Sequence, residues 1–126
     1  MVKEDDMNNS VHHITLDLDK QDSMEYVTVR QGDTAKSLSA MLTESGTPYS
    51  IADGAAVVLA ARKSDGSYIN QTCTVTDNVI EVVLPDSFTQ NVGKLLCCFN
   101  ISHEGKALTS PPFTIYVDAK AAETTS

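Results

Sequence analysis

The chain contains no tryptophan and only three cysteines, and aromatic residues make up 6% of its 126 positions. It is also short of positive charge, with nine basic residues against seventeen acidic ones and a formal charge of -8. Each shortage excludes something. An odd number of cysteines leaves one unpaired in any disulfide scheme. Cys97 and Cys98 are adjacent in a strand-like run and therefore face opposite ways. Cys73 and Cys97 read as small buried hydrophobes, and three free thiols suit a reducing cytoplasm. The acidic balance repels phosphate, so neither nucleic acid nor an anionic membrane surface is an expected partner. No apolar run reaches the roughly 18 residues that a transmembrane helix needs. The opening stretch MVKEDDMNNS has no apolar segment of the kind a signal peptide carries, so none is expected there.

Chemical motifs are missing as well. There is no Gly-x-Ser-x-Gly elbow, no phosphate loop and no Gly-x-Gly-x-x-Gly turn. The histidines are His12, His13 and His103; the first two point apart on an extended chain, and zinc needs three or four convergent ligands. Cys97 or Cys98 would need a neighbouring base and a lowered pKa to act as a nucleophile, and no such signature surrounds them. Asp17, Asp19, Asp22, Asp33, Asp53, Asp65, Asp77 and Asp86 fall mostly in turns, where aspartate caps its own backbone. The spacing of a calcium-binding EF-hand loop is not among them. Tyr26, Tyr49, Tyr68 and Tyr116 are the candidates for a sugar-stacking platform; scattered along the chain, they read as packed rings with hydrated hydroxyls. The residues thus assign no catalytic group, no metal and no cofactor, and they do not locate an interface.

What is present is β-patterning. The stretch Ala55–Ile69, AAVVLAARKSDGSYI, is a valine-rich apolar run ending in a polar loop with Asp65-Gly66 at its tip, and a second strand-like run, Tyr68–Thr76, follows at once. That is a hairpin signal. Clean alternation marks His13–Leu18, Glu25–Arg30 and Val79–Leu84 as half-buried strands. Ser37–Thr43 sits in a stretch of good helix formers, Ala35–Glu44, but its period of two argues for strand. Turns are expected at Gly32-Asp33, across Glu44–Gly54 with Gly46 and Pro48, at Asp77-Asn78 and at Glu104-Gly105. Pro85–Phe88 reads as a helical corner, Gly93 opens a strand to Ser102, and Ala107–Val117 forms the last strand, interrupted by Pro111-Pro112. That double proline suits an edge position. The inward stripes place Leu59, Ile80, Val82, Cys97, Phe99 and Ile115 in the core. The expected fold is all-β: an antiparallel, Ig-like β-sandwich of about 7–9 short strands. Residues 1–11 are expected to be a disordered segment, 12–118 the β domain, and 119–126 a linker or tail.

Four stretches, in order and spacing, carry a resemblance. They are Val29-Arg30-Gln31-Gly32-Asp33-Thr34, Leu42-Thr43-Glu44-Ser45-Gly46-Thr47-Pro48-Tyr49, Arg62-Lys63-Ser64-Asp65-Gly66, and Thr109-Ser110-Pro111-Pro112-Phe113-Thr114-Ile115-Tyr116-Val117. Together they resemble the N-terminal domain of phage baseplate upper proteins of the BppU type, over about residues 12–118. Ser64 stands where that family frequently has proline. The resemblance implies a non-enzymatic structural module of a phage or prophage tail baseplate. Such a module would be made in the bacterial cytoplasm without a signal peptide and incorporated in the virion. It would dock on the baseplate core, the tail-tip hub, and help to hold receptor-binding proteins, with homo-oligomers possible in the particle. The competing reading of the same fold is an Ig-like carbohydrate-binding or surface-adhesin module.

Overall fold

Alternating apolar and polar residues resolve into ten strands and one short helix in a computed structural model that describes residues 11–33 and 36–119. In chain order the strands are β1 (Val11–Asp17), β2 (Tyr26–Arg30), β3 (Ser37–Glu44), β4 (Thr47–Pro48), β5 (Ala56–Arg62), β6 (Tyr68–Thr76), β7 (Val79–Val83), β8 (Gly93–His103), β9 (Lys106–Thr109) and β10 (Phe113–Asp118). Helix α1 (Asp86–Thr89) lies between β7 and β8. No helix of the described residues is long and apolar enough to cross a membrane. The segments expected at residues 1–11 and 119–126 fall almost wholly outside the described residues.

Hydrogen bonding joins the strands in the order β1-β3-β7-β6-β5-β8-β10-β2, with β4 added to β3 and β9 added to β8. β6 is the joint: Tyr68–Cys73 pair with β5, and Thr74–Thr76 pair with β7. The chain is all-β, and hydrogen bonds run through all ten strands, with β1, β3, β4 and β7 on one side of the β6 joint and β2, β5, β8, β9 and β10 on the other. The two end strands, β1 and β2, come back into contact, so the ladder curls around a single core.

Three sequence expectations need correction. The pairing is not wholly antiparallel: β1 runs parallel to β3, and β2 parallel to β10. A parallel pair needs a crossover of about a dozen residues or more, commonly a helix. Here the crossover from β1 to β3 contains β2, a strand at the far end of the ladder, so no helix is required. The strands number ten, not 7–9, because two-residue β4 extends the Ser45-Gly46 turn into a hairpin and the last expected strand is two, β9 and β10. Finally, Pro111-Pro112 is not in an edge strand. It fills the gap between β9 and β10, which both pair with β8, while β10 lies between β8 and β2. Ser110 closes the gap: its N–H donates to the Phe99 carbonyl and its hydroxyl accepts the Phe99 N–H, each at 2.9 Å.

The core follows from the period of two. Leu38, Ala40 and Leu42 on β3 are buried, whereas Ser37, Ser39 and Met41 point outward, a split that a helix could not give. Leu59, Ile80, Val82, Cys97, Phe99 and Ile115 are all buried, and the Phe99 ring stacks on Phe113 with centroids 5.2 Å apart. Lys36 is the one charged side chain among the buried residues of the described chain. Only 4% of its side chain is exposed, yet its Nζ reaches Asp86 Oδ1 at 2.8 Å and Thr89 Oγ1 at 3.2 Å. The buried stem with a paired tip ties α1 to the start of β3.

Two outcomes follow. Truncating Phe99 to alanine is expected to cost about 3–5 kcal/mol in denaturant unfolding, the range for a buried phenylalanine; a cost near zero would mean that the stripe is misassigned. Three carboxyls have lowered pKa values. Asp86 is lowered by the hydrogen bond and then the charge of Lys36. Asp17 is lowered first by the Asp19 N–H, and Asp65 by the Ser67 hydroxyl. Folded-state values below the unfolded ones mean that this stability is complete above about pH 4 and is lost as pH falls through the lowered values. A melting-temperature profile should therefore drop below pH 4, with a shallower drop in Asp86→Asn.

Candidate functional site

The expected turn residues gather at opposite ends of β3. At its far end the Ser45-Gly46 turn joins β3 to β4, with both residues at positive φ. Asp17, at the end of β1, holds this turn. Its Oδ1 accepts the Asp19 N–H at 2.9 Å and the Ser45 N–H at 3.1 Å, and its Oδ2 accepts the Gly46 N–H at 2.9 Å. Asp19 accepts the Ser45 hydroxyl. Pro48, exposed on β4, lies opposite Thr43. These aspartates act as turn caps.

At the near end, Gly32 at φ 86° turns the chain from Arg30 back to Asp33, whose N–H donates to the Arg30 carbonyl at 3.1 Å and whose carboxylate accepts the Arg30 N–H at 3.2 Å. The Gln31 side chain donates to the Gln90 carbonyl at 2.7 Å, bringing the segment after α1 alongside. The β5–β6 loop, Lys63–Ser67, belongs to the same end. Asp65 Oδ1 accepts the Ser67 N–H and hydroxyl at 2.9 and 2.6 Å, and Gly66 takes φ 91°. Ser64 then donates to the Lys94 carbonyl at 3.3 Å and pins the loop to β8. Gly93 is required at this contact: at φ 142°, a Cβ there would lie 2.9 Å from Ser64 Oγ. Two adjoining depressions flank the pinned loop. One of about 210 Å³ is lined by Lys63, Val92 and Lys94 among others, and one of about 250 Å³ by Arg62, Lys94 and Leu96.

The other candidates stay apart. Among the described residues no three His, Cys, Asp or Glu side chains are placed to hold a metal ion. His12 and His13 occupy β1, and His103 ends β8. Cys73, Cys97 and Cys98 are free. Burial pushes the Cys97 thiol up to about 12 and the Cys73 thiol up to about 11, and raises Cys98 too, the opposite of what a nucleophile needs. The tyrosines are less scattered than the sequence suggests. Neighbouring strands β2 and β10 bring Tyr26 and Tyr116 together, with centroids 5.7 Å apart. Their planes cross at 75°, so the two rings do not form one flat stacking surface. Two features had escaped the sequence reading. The burial of Lys36 had no local signal, and Lys94 joins the adjacent pair Arg62-Lys63 only through the β5–β8 pairing.

The thiols give an ordered expectation. In the native chain Cys98, partly exposed on the outer side of β8, should be alkylated before Cys97, which is 2% exposed. Peptide mass spectrometry reads the order, and a Cys73–Cys97 disulfide in unreduced protein would contradict it.

Comparison with known proteins adds three findings. Residues 10–126 match the sequence profile of the family described as BppU N-terminal domain. No curated protein sequence matches the chain. The fold is similar to a solved structure, the N-terminal domain of phage TP901-1 ORF48, with a TM-score of 0.69 and 18% identity over 86% of this chain and 98% of that one.

Proposed function

The chain belongs to the BppU N-terminal domain family, a structural domain of phage baseplates, and from that premise we propose that it is a non-enzymatic anchoring module. It docks on the baseplate core, the tail-tip hub, and helps to hold receptor-binding proteins in the virion. The observation that carries this reading is the match over residues 10–126, which takes in every strand of the ladder. The side-chain arrangement supports it. The aspartates cap turns, the thiols are held protonated by burial, and the depressions near β8 are shallow. Anchoring draws its strength from rigid exposed loops repeated in many copies, because linked sites raise one another's effective concentration. A single copy in solution is therefore a weak binder.

The test is co-expression with the tail-tip hub protein of a phage or prophage that carries this chain. Co-purification of the two is the expected result. A chain that ignores the hub but is retained on cell-wall glycans would replace anchoring with the adhesin reading.

A further inference from the structure

The chain is strongly acidic, yet three of its nine basic residues meet at one place. Arg62 ends β5, Lys63 opens the pinned loop, and Lys94 stands on β8 beside both depressions. Among the described residues the one ion pair is Lys36 with Asp86, so these three cations have no carboxylate within salt-bridge reach. Asp65 is the carboxylate of the loop itself: it feels the Lys63 charge, but it lies beyond salt-bridge distance and its Oδ1 is engaged by Ser67, which leaves Arg62 and Lys94 as the uncompensated pair. Exposed apolar groups surround the cations. Tyr68, opposite Arg62 on β6, is 69% exposed; Leu96, opposite Arg62 on β8, is 48% exposed; and Val92 is 56% exposed. Aromatic and arginine anchors amid apolar surface are the composition of an interface core. The Ser64 bond and the Gly93 contact hold the loop before any partner arrives, which lowers the ordering cost of association.

We propose that this patch, centred on Arg62, Lys63 and Lys94, is the surface that receives an acidic, partly apolar face of another virion protein. This rests on the anchoring reading and names the site and the partner's chemistry. Each depression, at about 210 and 250 Å³, is below the roughly 300–1,000 Å³ of small-molecule sites and suits a carboxylate side chain from a protein. A polyanion as dense as nucleic acid would meet the chain's overall charge of -8. A second copy of this chain is the alternative occupant. Its loop between β1 and β2 does set Asp19, Asp22 and Glu25 beside Met24, which is 90% exposed, so what favours a different protein is the family's place among other baseplate proteins, and self-association is an outcome of the test.

The experiment uses the full chain and the tail-tip hub protein of a phage or prophage that carries it. Affinity is measured for the wild type, for the double variant R62E/K94E and for K106E, a charge reversal placed elsewhere; circular dichroism and melting confirm that each folds. The double variant should bind at least about tenfold more weakly and K106E about as the wild type does, and the wild-type affinity should fall as salt rises. Acetylation of the complex should spare Lys63 and Lys94 while Lys20 and Lys106 react as in the free chain. Undiminished binding by R62E/K94E, or equal acetylation of Lys63 and Lys94 in free and bound chain, overturns the patch and leaves anchoring in place. Self-association of the wild type that R62E/K94E abolishes assigns the patch to a second copy and also overturns the proposal. A wild-type chain that does not bind the hub removes the anchoring reading, and this inference with it.

Discussion

The ladder on β8 is the constraint on which the rest depends. One side of β8 pairs with β5 from Leu96 to Ser102, and the other pairs first with β10 and then with β9. Its inward stripe, Leu95, Cys97, Phe99 and Ile101, is wholly buried, and Phe99 stacks on Phe113 across the ladder. A one-residue slip would turn all four toward water. The register is protected where it is weakest, at the double proline. Proline cannot donate to a ladder, and Ser110 supplies both the donor and the acceptor that Phe99 would otherwise lack. Among the described residues no buried side-chain nitrogen or oxygen is left without a partner.

A ladder held in the middle leaves its ends free to differ. The far end is closed by Asp17 gathering three backbone N–H groups. The near end is closed by longer-range ties: Lys36 to α1, Gln31 to Gln90, and Ser64 to Lys94. The near end is also where Arg62, Lys63 and Lys94 meet, although most of the chain's charge is negative. A rigid scaffold with chemically distinct ends suits a structural domain of a phage baseplate. In such a part the specificity lies in surface composition and not in a pocket.

Much of the fold was legible because a half-buried strand writes its facing into its own sequence. Val27 and Val29, Leu38, Ala40 and Leu42, and Ile80 and Val82 alternate with outward-facing residues, most of them polar, and each is buried. Turns were equally local: Asp77-Asn78, Ser45-Gly46 and Glu104-Gly105 all adopt the positive φ that two-residue hairpins require. The parallel pairings were not legible. Alternation states which residues face inward but not which strand lies alongside, and β1 meets β3 only because the chain between them leaves to build the opposite end of the ladder. The strand count failed for a related reason, since Ala107–Val117 looks continuous until β8 shows where each half pairs.

By itself the sequence determined the all-β class, the core stripes, the turns and, through ordered motifs, the family. These are properties of neighbouring residues, set by period, φ preference and side-chain type. The tertiary structure alone decided that Lys36 is buried against Asp86, that Tyr26 stands against Tyr116, and that Lys94 joins Arg62 and Lys63. Each of these pairings spans dozens of residues along the chain. Their partners are fixed by ladder order and register, which depend on how the whole hydrophobic surface closes on itself.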